Sequence, residues 1–339
     1  RGWRDLWQDC LALLIMEPKQ VRQMLIDNFG GVRFDGTNAT IIGSKQGEFI
    51  ADRNNIVRVW MDHGAWPYLT TSLYMQQTGD IEFLNEENTY FKDAQIGRGE
   101  HRDNLWSDGE GNMQLSEDDT PYRGTVLEHL LIQHLTSFYD VGEHNHIRLR
   151  GADWNDGLDM AEKRGESVAF TALYGGNLRD LAKDIMILSK KTGKDTISLA
   201  KEIEVLLNAD KTVYDSIDEK HKVLNAYCNA VGHKISGEKV SVDCTKLCNV
   251  LNEMSSWIAD HIRKTEWITN KEGNSWFNGY YDNSGNAVEG DRFSRTFGLF
   301  DGPHDRSLAP VVGRQRKLPV SEHVMEPLQI GERRLGRGN

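Results

Sequence analysis

Thr125-Val-Leu-Glu-His-Leu-Leu-Ile-Gln-His-Leu-Thr-Ser-Phe-Tyr139, followed three residues on by Gly142-Glu-His-Asn-His-Ile-Arg-Leu-Arg-Gly-Ala-Asp-Trp-Asn-Asp-Gly-Leu-Asp159, is the stretch whose reading decides the fold. Its first half places Val126, Leu130, Leu131, Leu135 and Phe138 at helical spacing on one face, which predicts a helix. Its second half is dense in Asp, Asn, His and Gly, residues that favour turns and local side-chain bonding over ladders, so it reads as a loop. A helix delivering a long polar loop that carries an indole is a unit to look for in both directions along the chain.

Toward the N-terminus, Arg4 to Met16 carries Trp7, Leu11, Leu14 and Ile15 at helical spacing. Pro18 then opens a second helical stretch through Val21, Met24, Leu25 and Phe29, stopped by Gly30-Gly31. Thr37 to Phe49 reads as a loop or short hairpin. Asn54 to Gln77 is helix-like, with Pro67 starting a new helix rather than interrupting one. Ile81 to Phe91 reads as a short helix and Lys92 to Tyr122 as a polar surface loop. Toward the C-terminus, Ser167 to Lys190, Thr196 to Leu207, Tyr214 to Ala230 and Cys244 to Lys264 all have helix-like apolar spacing, followed by aromatic-rich pieces at Trp267 and Trp276 to Tyr281. No repeat of about 20–50 residues is visible, which argues against a solenoid. Helices joined by long polar loops predict an all-α chain and fit an α/α toroid with its chemistry on loops at one mouth.

The 339 residues suffice for one large core, and the net charge of −11 disfavours nucleic acid as a partner. No run of about 20 apolar residues offers a membrane span, and with no leader at Arg1 the expected location is cytoplasmic. Cys10, Cys228, Cys244 and Cys248 form no CxxC pair, so buried thiols are expected, and Cys244 with Cys248 lacks the partners for a tetrahedral metal site. The sequence opens inside a motif-bearing helix, as though cut from something longer. Residues 291–339 hold four of the seven prolines, no Trp or Tyr, and nine Lys and Arg against six Asp and Glu. The expected organisation is therefore a catalytic domain over 1–290 and a basic tail over 291–339 that is disordered or non-native.

Arg150-Gly-Ala-Asp153-Trp154-Asn155-Asp156-Gly157-Leu158-Asp159 brings carboxylates, an amide and an indole into one glycine-framed turn. A sugar site needs this mixture: an aromatic face for the apolar side of the ring, polar groups for the hydroxyls, and a carboxylic acid to protonate the departing oxygen. A calcium loop of the EF-hand type is excluded, because Leu158 stands where glycine is required. An acidic capped turn remains the alternative. His144 and His146 could bind a metal, but hydrogen bonding within the loop is the simpler reading, and no metal is expected. Glu128-His129 reads as a structural polar pair, Trp3 and Trp7 as core, and the Lys-rich stretch from Lys183 to Lys194 as a solvated helix face.

The run from Gly142-Glu143-His144 to Asp153-Trp154-Asn155-Asp156-Gly157 resembles the Glu-His…Gly-Asp-Trp-Asn-Asp-Gly signature of glycoside hydrolase family 94, which contains cellobiose, cellodextrin, chitobiose and 1,2-β-oligoglucan phosphorylases. Gly2-Trp3-Arg4-Asp5-Leu-Trp7-Gln8-Asp9 is similar to that family's Gly-Tyr/Phe-Arg-Asp-x-x-Gln-Asp helix and looks closest to the 1,2-β-oligoglucan branch. Asp62-His63 with Trp66 resembles its Asp-His-x-Trp segment, and Thr125-Val-x-Glu128-His129 the helix before its catalytic loop. The order agrees over about residues 2 to 290.

That resemblance implies an (α/α)6 barrel, incomplete here, and inverting phosphorolysis of a β-linked gluco-oligosaccharide to α-glucose 1-phosphate. Asp156 matches the general acid, Trp154 the aromatic residue beside the attacked sugar, and Asp5 a carboxylate on that sugar's hydroxyls. Arg4, Asp153, Asp62 and His63 fall in the same motifs and are expected to bind substrate. Inorganic phosphate would be the co-substrate, with no cofactor, and a homodimer of the full-length protein is compatible. The family's phosphate-binding His and Thr-Gly follow the segment matched by Trp276 to Gly285, and the sequence beyond Arg292 does not resemble that region. The alternatives are an inverting hydrolase on the same barrel, and a carbohydrate-binding fragment without activity.

Overall fold

The computed structural model describes residues 1–45, 47–51, 59–151 and 161–289. Among these, the chain is mostly α, with eight α-helices and only short strands. The loop residues Asp153, Trp154, Asp156 and Asp159 and the tail 291–339 lie outside the described residues.

Helix α1 (Trp3–Met16) buries Trp3, Trp7, Cys10 and Leu14, a stripe at spacings of four and three. Glu17 ends it, and Pro18 begins α2 (Pro18–Phe29), where the missing N–H of proline costs nothing. A hairpin pairs Ile41–Ile42 with Phe49–Ile50. Helix α3 (Ala65–Thr78) has Pro67 in its first turn and stops at Gly79, whose φ of 72° suits the left-handed cap.

Helix α4 (Val126–Tyr139) starts on a side-chain cap, Thr125 accepting from the Glu128 amide. It was expected to bury one face and instead is buried around its whole circumference, including Glu128, His129, Gln133, His134, Thr136 and Ser137. Each fully buried Leu, Ile or Phe on it contributes roughly 1.5–3 kcal/mol, so this helix is the centre of the core.

Helix α5 (Val168–Thr192) packs along α8 (Cys244–Thr265). A glycine in mid-helix permits the approach: a methyl group on Gly175 would stand 2.9 Å from Ile258 Cγ2. Between them come the single-turn α6 (Glu204–Leu207) and α7 (Ile217–Ala230), the latter capped by Ser216.

Three segments differ from the local reading. Thr196–Ala200 is a strand, because Lys239–Asp243, some forty residues on, supplies its antiparallel partner. Ile81 to Phe91 splits into a 3-10 turn, Ile81–Asn85, and a strand, Glu87–Thr89, paired with Arg123–Thr125. The stretch 92–122 is not a simple surface loop: Lys92, Asp93, Arg98, Asp103 and Gln114 within it are buried. A three-stranded ribbon joins Tyr280–Tyr281, Glu166–Ser167 and Ile147–Arg148. No helix among the described residues is long and apolar enough to cross a membrane.

Candidate active site

Arg4, in the first turn of α1, and Asp62, just before α3, meet at one place. The Arg4 Nε lies 2.8 Å from Asp62 Oδ2, and Asp62 is fully buried. Trp66 donates its indole N–H to the same oxygen at 2.9 Å. The Arg4 guanidinium also lies 4.7 Å from the Trp60 ring centre, a cation–π distance. A buried ion pair of this kind gains from further contacts, and here the Trp66 indole bonds the carboxylate while the Trp60 face meets the guanidinium.

His63 stacks against Trp60 at 5.0 Å, and its Nδ1 lies 3.1 Å from the Asn38 amide nitrogen. Burial, helped by Arg4, holds its pKa well below the usual imidazole range. The ring is therefore neutral, with Nδ1 accepting from Asn38 and the proton on Nε2. Trp3 donates to the His63 carbonyl at 3.1 Å, which ties α1 to this segment. Asp5 stands exposed beside Arg4, its carboxylate turned back toward Gly2 at the helix start.

Both described ends of the carboxylate-rich loop reach the same segment. Arg150 forms an antiparallel bridge with Trp60, and the Gly151 amide donates to the Val59 carbonyl at 2.8 Å. On the return, Ala161 packs with Met61, Ala65, Leu149 and Tyr174. Gly151 is thus bonded to the segment 59–65, which carries Asp62 and His63, and Ala161 shares an apolar cluster with Met61 and Ala65 of that segment. Asp153, Trp154 and Asp156 belong to the nine residues between them, outside the described set.

A second cluster has no counterpart among the residues expected from the sequence. Asp140, at the end of α4, is buried beneath three guanidiniums: Arg98 at 2.6 Å, Arg148 at 2.5 Å and Arg150 at 2.9 Å. Burial alone would raise its pKa, but Arg150, Arg98 and Arg148 together hold it well below the carboxylate range. Arg98 and Arg150 both adopt left-handed backbone, at φ 53° and 58°, a conformation costing non-glycine residues of order 1 kcal/mol or more. Arg98, Asn38, His63, Ser137 and Tyr174 line a small cavity beside Trp60. The one available signal was Arg98 set between Gly97 and Gly99, inside a segment whose polarity suggested solvent.

The other readings from sequence find their places. Trp3 and Trp7 are core. Glu128 accepts from the Tyr90 hydroxyl at 2.8 Å and the Ala200 amide at 2.7 Å, a structural role. His144 and His146 bind carboxylates, Glu166 and Glu266. No group of three or more His, Cys, Asp or Glu able to hold a metal occurs among the described residues. The four cysteines are buried and unpaired.

The mostly helical chain brings a buried arginine–aspartate pair, tryptophans and a neutral histidine together, and it is distantly related to the family 94 glycoside phosphorylases. No family model matches the chain. Over 215 residues it is 27% identical to a solabiose phosphorylase of Paenibacillus borealis, covering 62% of this chain and 23% of that protein. The chain thus matches a minor part of its curated relative's length.

Proposed function

We propose that the protein carries out inverting phosphorolysis of a β-linked gluco-oligosaccharide on an (α/α)6 barrel. Asp156 gives its proton to the glycosidic oxygen while inorganic phosphate attacks the anomeric carbon from the opposite face. The C–O bond to the leaving sugar breaks as the new C–O bond to phosphate forms, and the product is α-glucose 1-phosphate. An anionic nucleophile needs no general base, whereas an inverting hydrolase needs a second carboxylate roughly 6.5–9.5 Å from the acid to activate water. Trp154 faces the attacked sugar, and Arg4, Asp5, Asp62, His63 and Asp153 bind its hydroxyls.

The observation that supports this reading is the bond from the Gly151 amide, the last described residue before the motif loop, to Val59 of the segment that carries Asp62 and His63, where Arg4 meets Asp62. The distant kinship to a phosphorylase supports the reaction class. For the barrel, the support is α4, buried all round as an inner helix would be, against the one-sided burial of α1 and α8.

The test is to incubate the protein in its full natural length with laminaribiose, cellobiose, solabiose and 1,2-linked gluco-oligosaccharides, with and without inorganic phosphate. Glucose 1-phosphate of α configuration, formed only with phosphate, is the expected product. Free glucose released without phosphate would make the protein a hydrolase, and binding without turnover would leave only a carbohydrate-binding role.

A further inference from the structure

The arm that leads into the motif loop is held from beneath by side chains of three separate elements. Glu166, with no exposed surface, accepts from the backbone amides of His144 and His146, each at 3.0 Å, and lies 2.8 Å from His144 Nδ1. Glu266, the residue that ends α8, is buried and accepts from His146 Nε2 at 2.9 Å, from the Asn278 amide at 3.0 Å and from the Tyr281 hydroxyl at 3.0 Å. Lys220 of α7 donates to the Asn145 side chain at 2.8 Å from between the rings of Phe138 and Trp257. Asn145, between the two histidines, takes a left-handed φ of 63°. The His144 ring lies flat on Tyr281, 3.6 Å away.

Such a concentration of buried polar groups is costly unless its members find partners. Its effect is local. Residues 142–146 cannot shift without breaking charge-assisted bonds to two carboxylates, and the ribbon Ile147–Arg148, Glu166–Ser167 and Tyr280–Tyr281 joins the outgoing arm to the returning one. Burial works against ionised Glu266, yet the bonds from His146 and Asn278 bring its pKa down to about 2, so it remains a charged anchor across the working range.

We propose that Glu166 and Glu266 are positioning residues for the phosphorolysis: by fixing residues 142–146 they hold the arm of the loop to which the proposed general acid, Asp156, belongs. This rests on the reading of Asp156 as that acid. A misplacement of about 1 Å at a reacting group can cost about 10²-fold. The loss falls on bonds that need protonation and spares leaving groups that depart unaided.

The experiment compares wild type, Asp156→Asn, Glu166→Gln and Glu266→Gln in the full-length protein, on a gluco-disaccharide that it cleaves and on 2,4-dinitrophenyl β-glucoside, both with phosphate. The two glutamine variants should lose about 10²-fold in kcat on the disaccharide with KM nearly unchanged, and less than tenfold on the activated glucoside. Asp156→Asn should show the same selectivity more deeply. Tyr281→Phe keeps the ring under His144 and removes one bond to Glu266; it guards against misfolding of the stronger variants and should lose about 5-fold with the same selectivity. Equal losses on both substrates, or no loss, in the glutamate and tyrosine variants overturn the positioning role while Asp156→Asn retains its pattern. Near-normal turnover of the disaccharide by Asp156→Asn refutes the acid assignment itself, and the proposal falls with it.

Discussion

Replacing Glu128 by Gln should change how stability depends on pH, and the direction follows from where the carboxyl lies. It sits inside the all-round buried helix α4, and burial raises its pKa from 4.5 to about 7, opposed by hydrogen bonds from Tyr90, Ala200 and Tyr122. Between those two values the folded protein holds a proton that the unfolded chain has released, so stability falls as pH rises through this window. The contribution is fully present below about pH 4.5 and lost above about pH 7, and at 1.36 kcal/mol per pKa unit it amounts to roughly 3 kcal/mol. Gln cannot titrate. Urea unfolding followed by far-UV circular dichroism at pH 4 to 8 should therefore show the wild-type stability, measured relative to Glu128→Gln, declining by about 3 kcal/mol across the range. A difference that stays flat with pH would refute the reasoning. Since Glu128 is structural, the variant should also keep the pH profile of the proposed phosphorolysis.

Asp156→Asn should lower phosphorolysis by about 10²–10⁴-fold while leaving sugar binding largely in place, and Asp153→Asn should cost less; steady-state kinetics with binding calorimetry would reveal a misassignment as near-normal turnover in Asp156→Asn. Asp62→Ala removes the buried carboxylate 2.8 Å from Arg4 Nε, which should destabilise the fold by about 3–5 kcal/mol, and Arg4→Met together with Asp62→Leu should recover most of that in denaturant melts. Gly175→Val places a side chain against Ile258 where a methyl already stands at 2.9 Å, so overpacking should cost about 1–3 kcal/mol, visible as a lower Tm; an unchanged Tm would mean that α5 and α8 do not approach so closely.

Helices α1, α2, α4, α5, α7 and α8 were legible because their apolar residues recur at local spacing, and Pro18 marks the start of α2 within the turn where it stands. The motif loop could be singled out for a different reason, since its candidate groups are compressed into consecutive residues. The strand Thr196–Ala200 was not legible, because its apolar residues fit a helix equally well and the partner that decides the matter lies at Lys239–Asp243. Nor could periodicity tell that the polar face of α4 is buried, because Gln133, His134 and Ser137 look solvated until other elements close over them.

The sequence by itself determined the mostly helical class, the identity of the motif residues and their order, all properties carried by neighbours along the chain. Only the tertiary structure decided which of those motifs share a place: Arg4 with Asp62, Trp60 with Arg150, Asp140 beneath Arg98, Arg148 and Arg150, and the two histidines on Glu166 and Glu266. The reason is physical. Burial raises the cost of an unpaired charge and strengthens a paired one, so these contacts are selected by the environment that distant segments create together, and no local pattern of residues encodes that environment.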